Sequence, residues 1–324
     1  MALLLLADAP LRSWTPSASR LPEQFSAGYL DRYVDSLRGR DDLVVFLGDS
    51  ALWGYKLSPE QTAAQALSRR LSGARVVNLS YEGGSPVNDE VMLRFLLAKG
   101  VRPRLVVFNV NSKEFNSSDS AYRRLRPALA LAADPQIVPG LRAVLDMQDH
   151  SAINDRASRF VERFWLLYRY RVDLRESIFG TDDFASWLKN LAGDVSGYNE
   201  RYRRAHVPTP DAFEGTYDLS PIDASNVSFA RLLVFADELR RERIPALAFL
   251  TPTNHKLLHD YIDSPEYRAN LRTLQRALEA RGVRTIDLDA QFPAGAFIDN
   301  DHLTAAGNAE LADRLYPVLK SALR

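Results

Sequence analysis

Five short runs of apolar, β-favouring residues, each with little polar interruption, constrain this chain more than any other feature. They cover residues 43–48, 75–79 (Arg75-Val76-Val77-Asn78-Leu79), 105–110 (Leu105-Val106-Val107-Phe108-Asn109-Val110), 245–250 and 284–288. A strand with one wet face alternates apolar and polar residues, whereas a strand covered on both faces does not need to. Helical patterns separate most of the runs. Ser58-Pro59-Glu60-Gln61 has a cap, an N1 proline and a capping-box glutamine, and predicts a helix to about Leu71. Ser85-Pro86 opens another that ends near Gly100, and 224–243, 265–281 and 304–323 follow the helical period. This alternation predicts an α/β fold, a doubly wound, five-stranded parallel sheet of buried strands flanked by helices. In such sheets ligands collect outside the carboxyl ends of the strands. Ser50, Gly83 and Asn111 all fall just past strand ends.

The rhythm breaks between Asn111 and about Ser220. No strand pattern is evident there, so residues 113–220 read as a mostly helical insertion in a domain spanning 41–324, preceded by an N-terminal segment, 1–40. The stretch 154–179 is rich in arginine and aromatic residues. Phe160, Phe164 and Leu167 have core spacing with Arg156, Arg159 and Arg163 on a solvated face; the sharper reading is a platform for sugar rings and acidic groups. Ala2-Leu3-Leu4-Leu5-Leu6-Ala7 is too short for the ~7–15-residue apolar region of a signal peptide. It reads either as the stump of a signal or anchor or as a short packed end.

Lys+Arg and Asp+Glu are both 41, which removes the basic excess expected of a nucleic-acid binder. With no cysteine, thiol catalysis, thiolate metal sites and disulfides are excluded. No stretch approaches the roughly 20 apolar residues of a membrane-spanning helix.

Gly48-Asp49-Ser50 places a serine where the first strand runs out, and Asp299-Asn300-Asp301-His302 supplies a histidine with a carboxylate three residues before it. A serine hydroxyl needs a base to take its proton during attack. His302 is the candidate base, and Asp299 would hold its tautomer and stabilise the imidazolium. Asp301 also neighbours His302, but adjacent side chains on a short turn usually diverge, which favours Asp299. The tetrahedral intermediate requires donors at its oxyanion, each worth ~3–4 kcal/mol of barrier. The backbone N–H groups of Ser50 and Gly83 and the side-chain amide of Asn111 are the candidates, with Gly84 as the alternative to Gly83.

In these residues the chain resembles the SGNH (GDSL-type) hydrolase superfamily. Its four blocks stand in order as Gly48-Asp49-Ser50, Asn78-Leu79-Ser80-Tyr81-Glu82-Gly83, Asn109-Val110-Asn111-Ser112 and Asp299-Asn300-Asp301-His302. The resemblance implies a flavodoxin-like sheet, a nucleophile at Ser50, oxyanion donors at Gly83 and Asn111, an acid and base at Asp299 and His302, and no cofactor. The third block departs from the usual Gly-x-Asn-Asp, with Asn109 for the glycine and Ser112 for the aspartate. Tyr217-Asp218-Leu219-Ser220-Pro221, Asn226, Phe229 and Phe249-Leu250-Thr251-Pro252-Thr253-Asn254 resemble the DltD-like branch. That branch works outside the cytoplasm with a membrane-bound O-acyltransferase on cell-surface polymers.

His255 and His259 have i, i+4 spacing, but the zincin pattern needs a glutamate where Lys256 stands, so no metal is expected. Asn254 and His255 read as substrate contacts on the lip of the cleft, although a turn role suits Asn254 equally. The expected function is an extracytoplasmic serine O-acyltransferase or esterase acting on short acyl groups of an acylated carbohydrate polymer, with an acyl-Ser50 intermediate and a membrane-bound O-acyltransferase as partner. The alternatives are a non-catalytic polymer-binding or assembly protein, and a lipase or thioesterase.

Overall fold

The computed structural model describes residues 19–23, 25–117, 129 and 208–324. The readings of 1–18 and of the insertion over 118–207, including the arginine and aromatic stretch, lie outside the described residues. In chain order the elements are α1 (Ala27–Asp35), β1 (Leu43–Leu47), α2 (Ser50–Trp53), α3 (Ala63–Arg70), β2 (Arg75–Asn78), α4 (Pro86–Ala98) and β3 (Leu105–Val110). After the insertion come α5 (Val227–Arg241), β4 (Ala246–Leu250), α6 (His255–Ile262), α7 (Pro265–Glu279), β5 (Arg284–Asp287) and α8 (Ala305–Ala322).

The sheet is parallel throughout, in the order β2-β1-β3-β4-β5. This is the flavodoxin-like order, whose switch point lies between the first and third strands. Each central strand is apolar on both faces because each face meets a different helix layer. Leu43, Val45, Leu47, Val106, Phe108 and Val110 join one core with residues of α1, α4, α5 and α7. Val44, Phe46, Leu105, Val107, Leu247 and Phe249 join the other with α3 and α8. Phe108 meets Phe235 of α5 edge-on at 5.0 Å, a geometry aromatic quadrupoles favour.

Two expectations are corrected. β5 is not a buried strand: Arg284 and Asp287 are exposed, because among the described residues it is the sheet edge and pairs only with β4. The helix expected from Ser58 to about Leu71 is split. Gln61 Oε1 accepts from Ser58 N (3.1 Å), but this closes only a 3₁₀ turn, Pro59–Gln61. Thr62 then goes extended and caps α3 afresh, accepting from Gln65 N. The described part of 1–40 contains structure that the sequence pattern leaves unassigned. Ser26 caps α1, which buries Tyr29, Leu30, Tyr33 and Val34, and the preceding arm pairs with the outer edge of β2 through Leu21 N to Asn78 O (3.0 Å) and Asn78 N to Ser19 O (3.1 Å). Among the described residues no helix is long and apolar enough to cross a membrane.

Candidate active site

β1 is followed directly by Gly48, whose φ of +144° is one that side-chain-bearing residues rarely adopt. A Cβ there would also lie 1.9 Å from Asn109 Oδ1, so only glycine fits. Asp49 caps the single-turn helix α2, its Oδ1 accepting from Ala51 N at 2.9 Å. Ser50, the first residue of that turn, is thereby presented just past the carboxyl end of β1.

The loop before α8 brings the acid–base pair to it. Ser50 Oγ lies 2.8 Å from His302 Nε2, and His302 Nδ1 lies 2.8 Å and 2.9 Å from the two carboxylate oxygens of Asp299. Asp299 Oδ1 also accepts from the His302 backbone N–H at 2.9 Å, which locks the i, i+3 pair into one geometry. With Nδ1–H donating to Asp299, the Nε2 lone pair faces the hydroxyl that must lose its proton. Asp301 does not diverge as the sequence argument assumed. Its Oδ1 stands 3.5 Å from the same Nδ1, and the side chain is fully buried. Asp301 forms an ion pair with Lys113. Asp299 is the closer partner of the imidazole, while Asp301 is a second fixed charge beneath it.

These charges decide the histidine's protonation. Burial alone would lower the His302 pKa; the charge of Asp301 and the hydrogen bond from Asp299 outweigh it against opposition from Lys113, leaving the pKa above its ordinary value. Burial pushes Asp299 up, but its hydrogen bond and charge interaction with His302 leave it below the ordinary value. Asp301 is likewise held low despite burial, chiefly by Lys113 and then by His302.

The oxyanion donors divide. Asn111 is fully buried, and its amide donates to Asp49 Oδ2 (2.7 Å) and to Asp301 Oδ2 (2.5 Å). An amide nitrogen carries two hydrogens. Both are committed, so Asn111 in this arrangement ties the nucleophile turn to the acid–base loop and has none left for an oxyanion. Ser50 N–H has no acceptor among the described residues, as a donor awaiting an oxyanion would. The same holds for Gly83, which is exposed at φ +72°. Gly84 is the less suitable of the two glycines. Its N–H is spent on Tyr81 O at 3.0 Å, and its Cα packs so close to Gly48 that a Cβ would lie 2.1 Å from Gly48 O.

The altered third block has a structural role. Asn109 Nδ2 donates to Asp49 Oδ1 (2.8 Å) and to Thr251 Oγ1 (2.9 Å), while its Oδ1 accepts from Asp49 N (3.2 Å). Glu114 is buried close enough to Asp49 to feel its charge. Burial first, then the charges of Asp49 and Asp89, hold Glu114 well above the usual carboxyl range. Ser112 points away from this cluster to Tyr267 OH (3.0 Å), which donates to Asp289 Oδ1 (2.8 Å).

Asp289 Oδ2 lies 2.7 Å from His255 Nε2, and this hydrogen bond is the main reason the His255 pKa is raised. Asn254 donates through Nδ2 to Asp299 O (3.0 Å) and through its backbone to Asn300 O (2.8 Å), and it also caps α6. Both residues expected at the substrate therefore brace the loop that carries Asp299. His259 is exposed, with Nε2 3.0 Å from Asp260 Oδ1. Among the described residues the ligand-type cluster is Asp299, Asp301 and His302. His302 already uses both nitrogens within the triad, so a metal there would break it.

Sequence reasoning missed Lys113, Glu114 and the bracing role of Asn109. Lys113 and Glu114 follow a matched block directly, but nothing in their spacing shows that the third-strand loop turns them under Asp49 and Asp301.

No protein-family model matches the chain, and no curated protein matches it in sequence. Solved structures of similar shape include TesA, at 14% identity and TM-score 0.45, covering 86% of this chain and 99% of that one. A lipolytic G-D-S-L family protein from Veillonella parvula has 10% identity and TM-score 0.42, covering 85% and 97%. A catalytic mutant of the acetylxylan esterase Axe2 from Geobacillus stearothermophilus has 12% identity and TM-score 0.41, covering 86% and 94%. In this chain a five-stranded parallel sheet in flavodoxin-like order carries Ser50, Asp299 and His302 as a closed hydrogen-bonded triad, the fold and block order of the SGNH (GDSL-type) hydrolases it resembles.

Proposed function

We propose that the chain is a serine-dependent ester hydrolase or O-acyltransferase that works through an acyl-Ser50 intermediate. The observation that carries this is the continuous line Ser50 Oγ, His302 Nε2, His302 Nδ1, Asp299 at 2.8 Å per contact. Ser50 attacks the acyl carbonyl as His302 takes its proton. Ser50 and Gly83 N–H groups face the oxyanion, and the imidazolium then protonates the leaving oxygen. Water or a sugar hydroxyl resolves the acyl enzyme by the reverse sequence, and exclusion of water from the cleft decides between them.

Short acyl esters of carbohydrates are the proposed substrates, with an acylated cell-surface or secreted polymer as the larger one. An extracytoplasmic setting and cooperation with a membrane-bound O-acyltransferase complete the proposal, on the strength of the DltD-like residues from Tyr217 to Asn254. The assembled triad favours this reading over a pure binding protein, which has no use for a nucleophile–base contact. The committed Asn111 amide favours the binding protein as second reading, since it leaves the oxyanion two donors. Intact mass after incubation with p-nitrophenyl acetate separates them. An acetyl increment or turnover present in wild type and lost in Ser50→Ala and His302→Ala supports the enzyme; its absence in wild type brings the binding reading forward.

A further inference from the structure

Tyr55 has no role in the steps above, yet its ring lies against that of His302, with centroids 4.5 Å apart and planes tilted by 40°. The contact is held from several sides. Tyr55 N donates to Ser50 O at 3.1 Å, so the nucleophile's own turn fixes the start of the loop. Arg20, from the arm paired to β2, donates to Trp53 O (2.9 Å), Gly54 O (3.0 Å) and Leu57 O (2.8 Å), clamping the carbonyls on both sides of Tyr55. The guanidinium also sits 4.1 Å above the Trp53 ring, and Trp53 Nε1 donates to Leu21 O at 2.7 Å. The turn admits no bulk: a Cβ on Gly54 (φ +89°) would meet Thr62 Cγ2 at 2.6 Å. An aromatic ring carried on a loop held this firmly, and lying beside a group that becomes cationic in the reaction, is placed to interact with the cation.

We propose that Tyr55 is a positioning residue for His302, its ring stabilising the imidazolium formed when the Ser50 Oγ–H proton passes to Nε2 and the Oγ–acyl bond forms. The inference rests on the serine-hydrolase reading. A cation within about 6 Å of an aromatic centroid is attracted to its electron-rich face. The ring stays neutral, because burial and then the charges of Glu82, Asp299 and Glu23 raise the Tyr55 pKa. Among the described residues the other groups around His302 are Asp299, Asp301 with its partner Lys113, and Ser50; Lys56 Nζ lies 5.1 Å from the Tyr55 centroid and shares that ring. None of these replaces the aromatic contact.

The same interaction energy is then visible twice. Tyr55→Ala should lower kcat/KM for p-nitrophenyl acetate about fivefold to thirtyfold, and move the acid limb of its pH profile down by about 0.7–1.5 units. Tyr55→Phe, which keeps the ring, should stay within about twofold of wild type with the limb unmoved. A wall residue that only shapes the cleft would change the rate and leave the limb in place. The His302 ring resonance, assigned among the five histidines by its loss in His302→Gln, gives the pKa without turnover. A drop in Tyr55→Ala that Tyr55→Phe does not share supports the proposal. An Ala value within about 0.2 unit of wild type, or a Phe variant that behaves like Ala, overturns it. If wild type shows no Ser50-dependent turnover, the hydrolase reading fails by itself, and the His302 titration still decides whether Tyr55 stabilises the imidazolium.

Discussion

Replacing Asn109 by the glycine usual in that block should damage the protein, because here the side chain is a strut. Asn109→Gly removes an amide-to-carboxylate hydrogen bond on Asp49 (2.8 Å), another to Thr251 (2.9 Å), and the acceptor of Asp49 N–H (3.2 Å), all in a buried cluster. A hydrogen bond to a charged group is worth about 1.5–3 kcal/mol and an orphaned buried donor costs about 1–3 kcal/mol. A glycine within a central strand adds about 0.5–1 kcal/mol. The sum, with some relief from a water entering the vacated space, is a loss of about 3–5 kcal/mol. Urea slopes of about 1–3 kcal/mol per molar turn this into a midpoint lowered by about 1 M or more. Esterase activity should fall too, since Asp49 would no longer hold the turn bearing Ser50. Thr251→Val is the control: it removes one neutral partner and should cost about 0.5–1.5 kcal/mol. A loss under about 1 kcal/mol for Asn109→Gly, or one no larger than that of Thr251→Val, would refute the bracing argument.

Asp299→Asn should reduce kcat by about 10³–10⁴-fold with little change in KM, because the wrong imidazole tautomer then faces Ser50. Asp301→Asn, whose carboxylate stands 3.5 Å from Nδ1 rather than 2.8 Å, should cost far less in kcat. It should instead lower stability by about 1.5–3 kcal/mol, the worth of a hydrogen bond to a charged group such as the one Asn111 Nδ2 gives Asp301 Oδ2 (2.5 Å); equal kcat losses in the two variants would show that the carboxylate roles are wrongly divided. The pH profile follows from the same charges. His302 must be neutral to accept a proton, and its raised pKa places the acid limb of kcat/KM above the ordinary ~6.5. Asp301→Asn should bring that limb down, which kinetics from pH 5 to 9 would check. For stability the signs differ: the His302 contribution is full below ~6.5 and is lost as pH rises through the folded value, whereas those of Asp299 and Asp301 hold above ~3.9 and are lost as pH falls.

The strands were legible because burial on both faces leaves a direct mark on composition, and the helix of 86–98 because Ser85-Pro86 is a local start signal. β5 was misread as buried, since its apolar flank Val283 and Leu288 belongs to the core while Arg284 and Asp287 face outward at the edge. The helix of 27–35 is marked in sequence only by the Ser26 cap and by Tyr29, Leu30, Tyr33 and Val34 on one face, a signal of nine residues.

The sequence alone determined which residues could form a nucleophile, a base and an acid, because those are properties of side-chain type and of position after a strand. It also limited the fold to a layered parallel sheet, since apolar periodicity is local. Tertiary structure decided everything that depends on convergence. It closed Ser50 onto His302 across 252 positions of chain, took Asn111 out of the oxyanion site by pointing both its hydrogens at carboxylates, and set Asp301 and Tyr55 against the imidazole. The physical reason is that a hydrogen bond depends on direction and on distances of about 3 Å, and a linear pattern carries neither.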